Sequence, residues 1–292
     1  MPIEINEKIT NKIPHYCLIR LRSFYDSMES AEKKAVDLLI EDPDFIANAK
    51  IVEAAQRADC SAATFVRLAK KLGYKGYPKL KKALLEIKKD PIQLYPNINE
   101  NDKSEDIVAK IFQTSIQTLS DTLNLLDKET YKKAVNAICK AQKIVLCGVG
   151  DAFPVAQSGY HKFLRIGLNV QVSADFDVQL INVSHLSKND VAIIISHSGR
   201  TKNIVEVAKY AKIVGATVIS ITNYPISTLA KNSDIVLLTA VFINNVKGEV
   251  ISKRITQLCI LESLYINVLL KLKQKVIEDL EKSDLAVELN KL

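Results

Sequence analysis

The chain has 292 residues, 48% of them hydrophobic and 25% charged, and a formal charge of +7. These values belong to a folded globular chain and exclude intrinsic disorder, a collagen repeat and a disulfide scaffold. At roughly 100–200 residues per domain, the length predicts two domains.

The opening stretch MPIEINEKITNKIP holds two glutamates and no apolar segment, so it does not read as a signal peptide. The five cysteines (Cys17, Cys60, Cys139, Cys147 and Cys259) are scattered and form no CxxC. That pattern predicts reduced thiols, a cytoplasmic location and no metal site.

Residues 1–88 are expected to form an all-α domain. Ser30 is placed as the cap of a helix carrying Ala35, Val36, Leu39 and Ile40, ended by the turn at Asp42-Pro43. A second helix runs from about Lys50 to Ala58, with Ile51, Ala54, Ala55 and Ala58 on one face. A short connection at Asp59-Cys60 leads to Ser61, the expected cap of a third helix, which Gly73 ends. This is the outline of a helix-turn-helix. Phe65, Leu68, Ala69 and Leu72 face inward, and Thr64, Arg67 and Lys71 are placed on the outward stripe.

Charge agrees with that outline. Residues 60–89 hold nine cations and one acid, a net +8, so the rest of the chain sums to −1. A local cationic patch on a near-neutral body is the footprint of a polyanion binder, although a solvated lysine-rich helix has the same composition. On the DNA reading, Thr64 and Arg67 meet base edges in the helix that Ser61 starts, while Lys70, Lys71, Lys75 and Lys79 reach phosphate.

The segment 89–105, KDPIQLYPNINENDKSE, lacks any hydrophobic period and is the expected linker. Beyond it, residues 106–292 alternate short apolar runs with helical stretches. The expected strands are Ile144–Cys147, Val170–Val172, Val191–Ile195, Thr217–Thr222 and Ile235–Leu238. Runs apolar on both faces predict a doubly wound α/β layer with a parallel sheet. Leu258–Leu272 carries Glu262 and Lys271 and is expected to be a core helix, short of the roughly 20 apolar residues of a membrane span.

Two loops follow these strands. Gly148-Val149-Gly150 has a GxG spacing that fits a tight turn or part of a dinucleotide fingerprint. Phe153 stands where the third glycine of GxGxxG belongs, so NAD is discounted and no cofactor is expected. The second loop, Ser196-His197-Ser198-Gly199-Arg200-Thr201, places three hydroxyls around a glycine at a helix start. Helix capping alone accounts for one serine; three hydroxyls favour a phosphate cradle.

Two segments, SMESAEKKAVDLLIEDPDFI and IVEAAQRADCSAATFVRLAKKLGYKGYPKLK, resemble the N-terminal domain of RpiR/MurR-type bacterial transcriptional regulators. SHSGRT at 196–201, ISITNYPISTLAKNSDIVL at 219–237 and KRITQLCILESLY resemble the SIS (sugar isomerase) domain that follows it. The resemblance implies a regulator that binds a double-stranded DNA operator and senses a phosphosugar. It implies phosphate contacts from Ser196, Ser198, Gly199 and Thr201, with Gly148 and Gly150 on the opposite wall. Two positions depart from the family: Ala152 replaces the serine of GxGxS, and Asp177 stands where many relatives carry an imidazole. Arg200 adds a cation that offsets the missing hydroxyl.

Because SIS folds also occur in aldose–ketose isomerases, a phosphosugar isomerase is the alternative. Its acid–base candidates are Glu249, His161, His185 and His197, with His197 the best placed beside the cradle. The attached DNA-binding domain favours a sensor without turnover. A homodimer or tetramer is expected, with the apolar faces of Ile107–Leu126 and Ile255–Leu272 packing subunits, and with ligand binding relayed through the linker.

Overall fold

The computed structural model describes residues 13, 15–25, 28–86, 98, 101–241, 244–246, 249–250 and 252–290. It divides into two compact units, Met1–Gln113 and Thr114–Leu292. Residues 89–97, 99 and 100 of the expected linker lie outside the described residues.

The first unit contains α1 (His15–Phe24), α2 (Ser30–Glu41), α3 (Pro43–Asn48), α4 (Ile51–Arg57), α5 (Ala62–Lys71) and α6 (Tyr77–Glu86). Each contributes an apolar stripe to one core that buries Leu18, Leu21, Leu39, Ile46, Phe65, Leu68, Leu72 and Leu80. Ser30 is not the cap of α2. It is the first helical residue, and the Glu29 backbone N–H before it donates to the Glu32 carboxylate at 3.3 Å. Nor does Asp42-Pro43 simply end α2. The Asp42 carboxylate accepts from the Phe45 N–H at 3.0 Å and so caps α3. Pro43 fits the first position of that helix because it has no N–H to lose there.

The second unit opens on the C-terminal part of α7 (Ser104–Leu125) and on α8 (Lys128–Lys140). There follow β1 (Ile144–Cys147), α9 (Phe153–Arg165), β2 (Val170–Val172), α10 (Phe176–Ser184) and β3 (Val191–Ile195). Next come α11 (Lys202–Ile213), β4 (Thr217–Thr222), α12 (Thr228–Lys231) and β5 (Ile235–Leu238). A two-stranded ribbon, β6 (Asn244–Val246) with β7 (Glu249–Val250), precedes α13 (Lys253–Leu272) and α14 (Gln274–Glu288). All five main strands run parallel in the order β2-β1-β3-β4-β5, with Ile144 beside both Val170 and Val191.

The strand period of two divides the core between the faces of the sheet. Ile144, Leu146, Ile193, Ile195, Ile219 and Leu237 pack with α8, α9 and α13. Val145, Cys147, Ala192, Ile194 and Val218 pack with α10, α11 and α12. By length and composition α13 is apolar enough to cross a bilayer. Here its residues Ile260, Leu261, Leu264 and Val268 are buried in the core of the second unit.

Glu32 links two helices of the first unit. Its carboxylate, 3% exposed, accepts from Lys71 Nζ of α5 at 2.6 Å. Burial alone would raise its pKa. The hydrogen bonds from Lys71 and Glu29 and the charges of Lys71 and Arg67 outweigh this and hold it below its ordinary 4.5. A carboxyl with its folded pKa below the unfolded one stabilises above the unfolded value, and that contribution is lost as pH falls. Glu32→Gln is therefore expected to destabilise α2 and α5 by about 1–2 kcal/mol at neutral pH. Hydrogen exchange should show the gap from wild type narrowing below pH 4.5; a gap that stays constant with pH would refute the ionic contribution.

Candidate functional site

In the first unit, α4 and α5 form the expected helix-turn-helix. The backbone between them turns at Asp59, whose φ is +48°, and the carboxylate of Asp59 pairs with Lys34 at 2.5 Å. Ser61 caps α5, its Oγ accepting from the Thr64 N–H at 3.2 Å. Gly73 ends the helix at φ +89°. A Cβ there would sit 3.1 Å from the Arg20 guanidinium, which donates to the Lys71 carbonyl at 3.3 Å. Arg20 thus places a cation at the negative end of α5, a role for which the sequence has no local signal.

The outward stripe differs from the expected one. Thr64 is buried, 1% exposed, and its hydroxyl lies 2.9 Å from Ser61 Oγ. Lys71 is turned back onto Glu32. The exposed line is Ala63, Arg67 and Lys70, continued by Ser61 before it and Lys75 after it. The reason is the width of the buried stripe: Thr64, Phe65, Leu68, Ala69 and Leu72 all face the core, so the polar line falls one residue away. The motif after α5 then anchors the unit. Tyr77 packs edge-on against Phe65 at 5.6 Å and donates to the carbonyls of Ile46 and Ala49.

In the second unit, the strand order reverses direction between β1 and β3. Chains leaving neighbouring strands toward opposite faces open a crevice at their carboxyl ends. A cavity of about 240 Å³ lies there, lined by Val149, Asp151, Ala152, Ile195, Ser196, His197, Ser198, Thr201, Lys253 and Gln257. Three helix N-termini meet at it: Ala152 precedes α9, Thr201 precedes α11 and Lys253 begins α13. The positive ends of their dipoles favour an anion. Lys253 adds a full cation, and its ammonium is 2.6 Å from Asp151 Oδ2.

The serine-rich loop is held from below. Ser196 donates its N–H to the Ile221 carbonyl at 3.1 Å, and its Oγ accepts from the Gly199 N–H at 3.2 Å. The Asn223 N–H donates to the His197 carbonyl and the Leu229 N–H to the Gly199 carbonyl, both at 3.0 Å. Gly199 has φ +59°, and a Cβ there would fall 2.2 Å from Ser227 Oγ, so a side chain is excluded twice over. Gly148 is fixed on the other loop: its carbonyl accepts from Gln179 Nε2 at 3.0 Å, and a Cβ would meet the Ala152 carbonyl at 2.7 Å.

The comparisons with known proteins follow these two units. Residues 16–89 match the helix-turn-helix domain of the rpiR family, and residues 137–267 match the SIS domain. An HTH-type transcriptional regulator of Thermotoga maritima is 34% identical over 92% of this chain and 96% of its own length. The chain belongs to the RpiR family of transcriptional regulators. HexR of Escherichia coli is similar too, 31% identical over 70% of this chain and 72% of that protein. NanR of Vibrio vulnificus, solved with ManNAc-6P, shares the fold with a TM-score of 0.58 at 24% identity, covering 93% of this chain and 97% of that one.

Within this RpiR-family chain, Ser196, Ser198 and Thr201 converge on one cavity. Gly148, Gly150 and Gly199 shape its loops without lining it. Asp151, Lys253 and Gln257 line it and were not among the expected contacts; Lys253 stands 52 residues beyond Thr201 in the chain, beyond the reach of local motif reading. Of the isomerase candidates, His197 lines the cavity, while His161 and His185 are exposed elsewhere and are not among its lining residues. The Glu249 side chain lies outside the described residues. Asp177 is exposed in the first turn of α10.

His197 is partly buried and packs edge-on against Tyr224 at 5.8 Å, with its Nδ1 buried and lacking a hydrogen-bond partner among the described residues. Burial first, and the Lys253 charge second, push its pKa down from 6.5 to about 4. The folded ring is neutral where the unfolded one binds a proton, so its share of stability is present above pH 6.5 and lost as pH falls toward 4. Denaturation midpoints of the wild type should decline across that window, and His197→Asn should flatten the decline. An identical slope in the variant would show that other groups govern it.

Proposed function

We propose that α5 reads an operator in the major groove and that the cavity between β1 and β3 binds a phosphosugar effector. The observation that carries the second part is the convergence of three helix N-termini, the Ser196, Ser198 and Thr201 hydroxyls and Lys253 on a single cavity. In this reading the phosphate lies against the α11 N-terminus, the serine hydroxyls donate to it, and Gly148, Gly150 and Gly199 let backbone approach. The sugar extends toward His197 and Gln257. That the NanR structure holds ManNAc-6P supports the ligand class.

For DNA, the exposed Arg67 is placed to read a guanine edge, with Ser61 beside it. Lys70 and Lys75 are assigned to phosphate. Thr64 supports Ser61 from the buried side, and the Lys71 ammonium is held by Glu32, so both are given positioning roles. The two binding events are linked by a reciprocal coupling, typically about 1–3 kcal/mol.

Fluorescence anisotropy on the DNA upstream of this protein's own gene, titrated with sugar phosphates at fixed salt, tests both parts. Arg67→Ala should weaken specific binding by about 1–3 kcal/mol and leave the effector response in place. Ser198→Ala with Thr201→Ala should leave DNA affinity near normal and abolish the response. A double variant that still responds would remove the cradle, and turnover of a sugar phosphate by the wild type would favour the isomerase reading.

We also assign the exposed face of α7 to a second copy of the chain. Ala109, Phe112, Ile116, Leu119 and Leu123 recur at alternating spacings of three and four, the seam of a coiled coil. Phe112, Ile116 and Leu123 are 67%, 66% and 73% exposed. Phe112→Lys with Ile116→Lys should lower the assembly state in sedimentation; an unchanged mass would place the interface elsewhere.

A further inference from the structure

We infer that Asp151 is the cavity's resident counter-ion, which an incoming anion must displace from Lys253, and that this exchange sets which ligands the site accepts. The inference rests on the reading of the cavity as an anion site. Its observation is separate: Lys253 Nζ, on a side chain only 21% exposed, is paired with Asp151 Oδ2 at 2.6 Å, and the Arg254 guanidinium reaches the other carboxylate oxygen at 3.7 Å. Both Asp151 and Lys253 line the cavity. A carboxylate thus occupies the cation that a bound phosphate would use.

Two consequences follow from charge. A partly buried ammonium needs an anion beside it, and Asp151 supplies one within the chain. A ligand that takes over Lys253 must outcompete that carboxylate and then tolerate it as a nearby like charge. A dianionic phosphate, with three acceptor oxygens to spread over the Ser196, Ser198 and Thr201 hydroxyls and the helix N-termini, can do so. A sugar carboxylate, with one charge and two oxygens, offers Lys253 little that Asp151 does not already offer. Asp151 thereby selects phosphate esters over sugar acids, and it lowers the site's apparent affinity for either. The absence of a hydroxyl at Ala152, next in the chain, leaves this exchange as the loop's polar contribution to the cavity.

The test is calorimetric titration of the full chain at fixed ionic strength with inorganic phosphate, glucose 6-phosphate and gluconate, comparing wild type with Asp151→Asn and Asp151→Ala. Wild type is expected to bind the phosphates and not gluconate. Both variants should bind the phosphates about tenfold tighter and acquire measurable gluconate binding. In a Lys253→Gln background, the same two replacements should change affinity far less, leaving only the relief of like-charge repulsion. Using both replacements keeps the test open if one of them fails to fold. Phosphate affinity that is unchanged or weaker in folded variants, with wild type binding normally, would overturn the counter-ion role and leave the cavity reading intact. No binding of any probe by wild type or variants would overturn both.

Discussion

Burial on both faces of a parallel sheet is the constraint from which the second unit follows. Val191–Ile195 is fully buried from end to end, and Ile144–Cys147 beside it is too. Such strands cannot face water on either side, so helices must cover both, and the connections are confined to the strand ends. The order β2-β1-β3-β4-β5 then sends the chain after β1 toward one layer and the chain after β3 toward the other. The cavity is the space left between them. Its walls are loops, yet those loops are held rigidly: the carbonyl of Gly148 by Gln179, and those of His197 and Gly199 by Asn223 and Leu229.

The electrostatics of the cavity follow from that placement. Parallel sheets bring helix N-termini to the carboxyl ends of the strands, where α9 and α11 begin, and α13 begins at the same place after crossing from the β6–β7 ribbon. Burial and the Lys253 charge both act against a proton on His197, so its pKa falls rather than rises. Asp151 is the lining residue that opposes this field. Lys253 and Asp151 are the oppositely charged pair among the residues that line the cavity.

The first unit solves a different problem with similar means. A short helix-turn-helix has a small core, and its two ends must be fixed without long elements. Ser61 fixes the start of α5, Gly73 and Arg20 fix its end, and Glu32 reaches across from α2 to Lys71. The same lysine-rich stretch that looks uniformly cationic in the sequence thus divides in the fold. Lys71 serves cohesion, while Arg67, Lys70 and Lys75 remain at the surface.

Much of this was legible in the chain alone. Short apolar runs located all five main strands at the residues where they occur, because strand length and two-sided burial leave a signal within each run. The serine–threonine loop, the Ser61 cap and the Gly73 stop were equally local, since each depends on one residue meeting its own stretch of backbone. Most of the linker falls on residues the structure does not describe, and the division between the units falls within α7, at Gln113–Thr114. What the sequence could not contain was any relation between distant positions. Thr64 and Lys71 sit at spacings compatible with the outward stripe, and only the breadth of the packed face decided that one is buried and the other bound to Glu32. Lys253 reaches the Ser196 loop because α13 starts at the crevice, a fact of strand order and not of spacing. Local hydrogen bonds and periodicity are written in neighbouring residues; the ion pairs Lys71–Glu32 and Lys253–Asp151 exist only once the chain has brought their partners together.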